Sequence, residues 1–143
     1  MTTTQPMKLA VLVAAMMALA SSHAADKLSK DEYKAEKAKI EANYKTDKAA
    51  CDGQQGNAKD VCEKEATAKE KVALADLDFK NTGKDSDRVK VEKVKAEQDY
   101  AVAKEKCEDM KGAEESACKK QAKAAEAKAK ADIKAEKKVA ASS

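Results

Sequence analysis

The sequence predicts an all-α protein of two tandem antiparallel helical hairpins, with four long, coiled-coil-like helices in total. Three observations predict this fold. Alanine, lysine and glutamate dominate the composition, as they do in long helices and coiled coils. A tyrosine–cysteine–cysteine layout occurs twice in the chain. Short stretches containing glycine or asparagine divide the rest into four segments that have helical periodicity.

The repeat is defined by its rarest residues. Both copies have the spacing Tyr-x6-Cys-x10-Cys, and a glycine lies at the same place between the two cysteines of each copy. The matching residues are Tyr44, Cys51, Gly56 and Cys62 in the first copy and Tyr100, Cys107, Gly112 and Cys118 in the second. Because cysteine and glycine each occur only four times, this gapless match indicates an internal repeat. We therefore assign residues 25–84 to hairpin 1 and residues 85–143 to hairpin 2.

Residues 1–24 have the pattern of a secretory signal peptide, whether translation starts at Met1 or Met7. Lys8 precedes an apolar run over residues 9–20, and small residues follow it. This run is well short of the roughly 20 residues that span a bilayer. We expect cleavage after Ala24 and a periplasmic or secreted protein with no stable membrane anchor.

The charges and motifs exclude several function classes. Cleavage removes Lys8 from the 29 basic residues, which leaves 28 against 26 acidic ones, so no strong field for nucleic acid is expected. The same cut removes His23, the only histidine. No phosphate-binding loop, zinc-protease motif or nucleophile elbow is present in the sequence. We predict a protein that is not an enzyme and has no cofactor, metal or nucleic-acid partner.

In hairpin 1, Ser29 and Glu32 form a capping box that starts a first helix at residue 30. This helix is predicted to reach residue 52 with Tyr33, Ile40, Tyr44 and Cys51 on one face, widened by Ala35, Ala38, Ala42 and Ala49. Residues 53–57 form a break, after which Asn57 or Asp60 caps a helix over residues 58–80. Its expected seam is Val61, Ala68, Val72, Ala75 and Phe79, with Cys62, Ala66, Ala73 and Leu77 alongside.

In hairpin 2, Asp85 or Ser86 is expected to cap a helix over residues 87–110, and a fourth helix follows over residues 113–139. The third helix has a predicted stripe of Val89, Ala96, Tyr100, Ala103, Cys107 and Met110. The fourth is so rich in alanine and lysine that its buried face is hard to assign; the expected residues are Cys118, Ala122, Ala125, Ala129 and Ile133. The two hairpins pack as a loose four-helix bundle or remain separate.

The four cysteines indicate a disulfide framework in a small exported chain. Of three pairings, we favour Cys51–Cys62 and Cys107–Cys118, because each pair brackets one turn and leaves each repeat self-contained. Positions whose numbers add to 113 would then face each other in hairpin 1. The spacing argues against a thiol redox site, which usually has two residues between its cysteines. A zinc site would need both hairpin tips to meet.

With residues 56–66 (GNAKDVCEKEA) in view, the chain resembles a family of small exported proteobacterial proteins that repeat the Tyr-x6-Cys-x10-Cys hairpin after a signal peptide. The likeness covers nearly all of the mature chain, and the second copy departs from it at residues 112–118 (GAEESAC). The family is uncharacterised, and its members are sometimes labelled Tol-like cell-envelope proteins. The resemblance implies an envelope location and no established activity.

Two functions fit the sequence. The leading hypothesis is a non-enzymatic periplasmic protein that acts as a structural or protein-interaction module of the cell envelope. The alternative is a small stress-type holdase chaperone that binds unfolded clients. For this alternative, the expected apolar contact strip is Val72, Leu77, Phe79, Val89 and Val94. Self-association through alanine-rich faces would also complete the burial of the helices.

Overall fold

The computed structural model describes the backbone of residues 27–142 and the side chains of residues 27–139. Within this range the chain forms four α-helices and no strand. The helices are α1 (Lys30–Ala50), α2 (Gly56–Thr82), α3 (Asp85–Lys106) and α4 (Ala113–Ser142), with a 3-10 turn at Cys107–Asp109 between α3 and α4. The predicted signal peptide over residues 1–24 lies outside the described residues. The four helices and their packing confirm the predicted all-α fold with two antiparallel hairpins.

The helices lie side by side in chain order. α1 packs on α2, α2 on α3 and α3 on α4, and the contact between α2 and α3 is the most extensive of the three. α1 and α4 do not pack on each other, so the four helices form an open layer rather than a closed bundle. The hairpins also do not stand apart, because the interface between them is larger than the interface within either one.

The start of α1 follows the prediction, whereas the start of α2 does not. Ser29 Oγ accepts a hydrogen bond from the Glu32 amide at 3.2 Å, and Glu32 Oε2 accepts one from the Ser29 amide at 2.8 Å. This capping box satisfies two free donors of the first turn. α2 begins at Gly56, and its N-cap residue, Gln55, makes no side-chain capping bond. The predicted caps Asn57 and Asp60 are wrong, because Gly56 adopts a φ of 57° and lets the helix begin earlier.

The connection between the hairpins is tighter than predicted. Gly83, with a φ of 63°, ends α2 and donates its amide to the Phe79 carbonyl at 2.7 Å. α3 then begins after Lys84, which has no side-chain capping bond, so the expected caps Asp85 and Ser86 are wrong. With only two residues between them, α2 and α3 are neighbouring antiparallel helices, as short loops require.

The third helix ends four residues earlier than predicted. A 3-10 turn replaces its last turn at Cys107–Asp109, and Met110 is 42% exposed instead of completing the stripe. Gly112, with a φ of 59°, then turns the chain into α4. Because α3 ends early, the chain crosses to α4 close to Cys107, which forms a disulfide with Cys118.

The core is thin and consists of small side chains. The buried hydrophobic residues within the described range are Cys51, Ala66, Ala75, Leu77, Ala96, Cys107, Ala122 and Ile133. The alanines expected to widen the stripe of α1, and Ala125 in α4, are exposed. Both helices lie at an edge of the layer with one neighbour each, so only a narrow stripe of each helix is covered.

Ion pairs cross every interface of the layer. Lys69 Nζ lies 3.1 Å from Asp47 between α2 and α1, and Lys106 Nζ lies 2.7 Å from Glu65 between α3 and α2. Lys130 Nζ lies 3.3 Å from Glu97 between α4 and α3. Exposed pairs of this kind contribute at most about 1 kcal/mol each, so they set the register of the helices more than they stabilise the layer.

We expect Gly83→Ala to lower the free energy of unfolding by about 1 kcal/mol, because an L-residue is strained at the left-handed φ of this position. No atom lies within 4 Å of a Cβ built at Gly83, so the cost would come from the backbone alone. Urea unfolding followed by circular dichroism measures it. Gly53→Ala is the matched control, because Gly53 has no positive φ and equal space. Equal effects of the two substitutions would contradict this account of the turn.

Candidate functional site

Two disulfides link the helices of each hairpin at its turn. Cys51 bonds to Cys62 and Cys107 bonds to Cys118, and the Cα atoms are 5.7 Å apart in both pairs. Because the helices alternate in direction, both disulfides lie at the same end of the layer, opposite the Gly83 turn. The described residues contain no free cysteine. The favoured pairing is therefore the one present in the structure.

The two disulfides have the same local environment, which makes the repeat structural as well as sequential. Cys51 and Cys107 are fully buried. Cys51 Sγ lies 3.3 Å from the Asp47 carbonyl oxygen, and Cys107 Sγ lies 3.1 Å from the Ala103 carbonyl oxygen. A disulfide sulfur has no proton to donate, so these are packing contacts over the last turn of the helix. Each one fixes the cysteine against its own helix before the chain turns.

Asp78 is the most connected polar residue at the other end of the layer. Its Oδ1 accepts a hydrogen bond from the Tyr33 hydroxyl at 2.7 Å, and its Oδ2 accepts one from Lys90 Nζ at 2.8 Å. Tyr33 belongs to α1 and Lys90 to α3, so one carboxylate on α2 joins three helices. The register predicted from the Cys51–Cys62 pairing, in which facing positions add to 113, places Tyr33 opposite Lys80. Its actual partner, Asp78, is two residues away.

The same contacts shift three ionisation equilibria. The Lys90 ammonium, followed by the Tyr33 hydroxyl, holds the pKa of Asp78 below its usual range, because both donate to the charged carboxylate. The hydrogen bond to Asp78 raises the pKa of Tyr33, since loss of the phenol proton would break that bond beside a negative charge. The bond to Asp78 also raises the pKa of Lys90. All three groups therefore favour the charge state that holds the helices together near neutral pH.

Sequence reasoning missed Asp78, because a single acid among 26 acidic residues does not stand out. The signal that could have identified it is its position in two registers. Asp78 lies opposite Tyr33 in hairpin 1, and it lies opposite Lys90 once α2 and α3 are folded about Gly83. The first register follows from the Cys51–Cys62 disulfide, and the second is visible only once the short turn at Gly83 is recognised.

The predicted apolar contact strip lies on α2 and α3. Leu77 is buried at 3% exposure, and the other four residues (Val72, Phe79, Val89 and Val94) are half-buried. Asp78 and Lys90 fix the register here, and Phe79 and Val89 are their immediate neighbours in the chain. None of the five side chains is fully exposed. Their apolar surface is thus partly used in packing the layer.

Shallow grooves run between the helices. The groove between α2 and α3 has a volume of about 430 Å³. It is lined by Glu65, Ala68, Lys69, Asp99, Val102, Ala103 and Lys106. Two acids and two lysines balance each other there, and the Lys106–Glu65 ion pair occupies part of this lining.

No group of three or more metal-ligating side chains occurs in the described part of the chain. Over residues 27–142, no helix is long and apolar enough to cross a membrane.

Comparisons with protein-family models, curated proteins and solved structures found no match. The resemblance to exported envelope proteins therefore stays a prediction from the repeated cysteine hairpin.

Replacing both members of one disulfide with alanine is expected to lower the free energy of unfolding by about 3 kcal/mol, by the chain-entropy model for a loop of this length. The melting temperature should then fall on the order of 10 °C. Thermal melts followed by circular dichroism measure this for Cys51→Ala/Cys62→Ala and for Cys107→Ala/Cys118→Ala.

The control for this experiment is the unaltered protein melted with and without reductant, after a non-reducing peptide map has verified both links. Reduction should lower the melting temperature at least as much as either double substitution. A melting temperature that is indifferent to reductant would show that the disulfides do not stabilise the layer.

Tyr33→Phe is expected to cost roughly 0.5–1 kcal/mol of stability, because it removes a hydrogen bond to a carboxylate at a partly exposed site. It should also raise the pKa of Asp78, which loses one of its two donors. The stability that Asp78 contributes is present above its usual pKa of 3.8 and is lost as pH falls through its lower folded value. In the variant this loss should be smaller and complete at a higher pH, because the folded-state pKa of Asp78 lies closer to its usual value.

Carbon-13 NMR of the Asp78 carboxyl and urea unfolding across the acid range measure both effects. Tyr44→Phe is the matched control, because Tyr44 is also half-buried on α1 but its hydroxyl makes no hydrogen bond with the described residues. An unchanged pKa of Asp78 in Tyr33→Phe would contradict the assigned contact.

Proposed function

We propose that this chain is a non-enzymatic, exported helical repeat protein that acts as a structural or protein-interaction module of the cell envelope. The observation that carries the proposal is the open layer of four antiparallel helices. In each hairpin, a disulfide links the two helices at one end. Helices of 21 to 30 residues give the layer a length of roughly 30–45 Å. Both broad faces of such a layer are free to contact another macromolecule.

The distribution of polar groups supports the non-enzymatic part of the proposal. Among the described residues, no polar or charged residue is buried as a whole, and the buried side-chain nitrogen that lacks a hydrogen bond is Asn57 Nδ2 at the start of α2. The resolved pKa shifts arise from ion pairs and hydrogen bonds near the surface, as at Asp78 and Lys119. Acid–base and nucleophilic catalysis usually rely on desolvated groups with strongly shifted pKa values. The surface of this layer offers contact area rather than a desolvated site.

Two disulfides support the export part of the proposal. Disulfides of this kind form and persist in oxidising compartments outside the cytoplasm. The sequence of residues 1–24 supplies a matching export signal, and the periplasm is the oxidising compartment of the bacterial envelope. The proposed location therefore agrees with both the chemistry of the cysteines and the pattern of the N-terminal residues.

The holdase alternative gains no specific support. A holdase needs accessible apolar surface for unfolded clients, and the five residues expected to supply it are buried or half-buried at the middle of the layer. The large hydrophobic side chains in the described residues that are exposed are Met110 and Val139, at opposite ends of hairpin 2. Two separated side chains do not form a strip.

Site-specific photocrosslinking in the producing organism tests the interaction module. The crosslinking residue is placed at one exposed alanine at a time, starting with Ala38 on α1 and Ala125 on α4. We expect one discrete crosslinked species from positions on one surface of the layer and none from the others. The silent positions are the controls, since they share the same fold and abundance.

Two results would contradict the proposal. An absence of crosslinks from every exposed position would remove the interaction role. A smear of many proteins, together with suppressed aggregation of a reduced client protein, would favour the holdase. Export is checked in the same cells, because cleavage after Ala24 makes Ala25 the first residue of the purified protein.

A further inference from the structure

Hairpin 2 has a row of lysines on one broad face that carboxylates do not neutralise. The Lys130–Glu97 pair marks this face, with Nζ 3.3 Å from the carboxylate. Lys93 lies four residues before Glu97 and Lys104 lies seven after it, so both share its side of α3. On α4, Lys123 lies seven residues before Lys130 and Lys134 lies four after it, so both share its side. We call Lys93, Lys104, Lys123 and Lys134 the lysine face.

The register of hairpin 2 places these lysines opposite one another. Two ion pairs, Glu97–Lys130 at 3.3 Å and Glu108–Lys119 at 3.6 Å, fix the same antiparallel register. In that register Lys93 lies across from Lys134. Lys104 likewise lies across from Lys123. Lysine therefore meets lysine across the hairpin, an arrangement that weakens packing through repulsion between like charges.

The lysine face is exposed and its charges are unpaired. All four side chains are exposed to solvent. None of them has a carboxylate within 4 Å among the described residues. Lys93 and Lys104 are eleven positions apart on α3, or about 17 Å. The acids of α4 nearest this side are already paired, Glu115 with Lys119 at 2.6 Å and Glu126 with Lys130 at 2.7 Å.

The opposite face of hairpin 2 has a different distribution of charge. A groove of about 420 Å³ lies there between α3 and α4. Its charged lining residues are Glu92, Lys95, Asp99, Asp132 and Glu136. Four carboxylates line this groove against one lysine, and two of them are paired at its rim, Glu92 with Arg88 at 2.8 Å and Asp132 with Lys128 at 2.6 Å. This side therefore lacks the rows of unpaired lysines.

Hairpin 1 does not repeat this arrangement. Across its two helices lysine meets carboxylate, with Lys48 Nζ 3.8 Å from Glu63 and Lys69 Nζ 3.1 Å from Asp47. The like-charged rows are therefore a property of hairpin 2 and not a consequence of the repeat or of its composition.

We propose that the lysine face of hairpin 2 docks reversibly on the anionic headgroups of a lipid bilayer. Charge complementarity identifies the occupant, since four unpaired ammonium groups on one side of the layer match an array of lipid phosphates. Lysine acts as a point charge without the bidentate geometry that arginine uses for specific phosphate recognition. The four residues that define the face are all lysines, so binding is electrostatic and weakens with salt. This inference goes beyond the proposed envelope role and does not rest on it.

Vesicle co-sedimentation tests the proposal with the disulfide-linked protein. The probes are vesicles of phosphatidylcholine with and without phosphatidylglycerol, at low and at physiological salt. We expect binding only to the vesicles that contain phosphatidylglycerol, and less of it as salt rises. Changing Lys93, Lys104, Lys123 and Lys134 to Gln together should weaken binding at least about tenfold.

The matched control changes the same number of lysines elsewhere, at Lys34, Lys39, Lys45 and Lys71. These are also exposed, have no carboxylate partner in the described residues and lie in hairpin 1, so the net charge falls equally. The control should bind nearly as well as the unaltered protein. Circular dichroism verifies that both variants keep their helices. Glu97→Gln should strengthen binding about two- to threefold, because it removes the carboxylate between the lysine rows.

Three outcomes would overturn the proposal. The unaltered protein could fail to bind anionic vesicles at low salt. Both fourfold variants could lose binding equally, which would make net charge the cause instead of the lysine face. Double-stranded DNA could displace the protein from vesicles at equal phosphate concentration, which would assign the face to nucleic acid.

Discussion

The disulfide at the turn of each hairpin is the constraint on which the layer depends. Burying apolar surface contributes about 25 cal/mol per Å², and the buried side chains here are mostly alanines. Ordering each residue costs on the order of 1–2 kcal/mol of backbone entropy, which a seam of alanines offsets poorly. A covalent link over a short loop removes part of that entropy from the unfolded chain. It also holds the two helices in register, so that weak surface ion pairs can form along them.

The features that could be predicted from the sequence are those that short-range chemistry determines. The capping box of Ser29 and Glu32, the glycine turns and the pairing of cysteines across each turn need only neighbouring residues. The predicted register of hairpin 1 was right to within two residues, because the disulfide between Cys51 and Cys62 determines it. The residues that line the hairpin interiors, such as Ile40 and Ala73, follow from that register.

The features that could not be predicted depend on how many neighbours a helix has. Ala35, Ala38, Ala42 and Ala49 satisfy the helical period but are exposed, because α1 lies at an edge of the layer. Asp78 and the lysine face belong to registers between helices, and those registers follow from the two-residue connection at Gly83 and the early end of α3. In a chain with so many acids and lysines, charge patterns acquire meaning only after these registers are known.

The two copies of the repeat differ at the positions through which hairpin 1 contacts hairpin 2. Asp78 on α2 binds Lys90 on α3, and this pair lies at the interface between the hairpins. The residue equivalent to Asp78 in hairpin 2 is Lys134, and the residue equivalent to Lys90 in hairpin 1 is Lys34. A second chain that added its α1 to α4 in the way that α3 adds to α2 would therefore place Lys34 beside Lys134. The ion pair between Asp78 and Lys90 would be replaced by a contact between two lysines, which repel each other. A second chain therefore does not extend the layer through this contact. Lys134, which stands where hairpin 1 has Asp78, thus prevents the addition of a further helix and also contributes a charge to the lysine face.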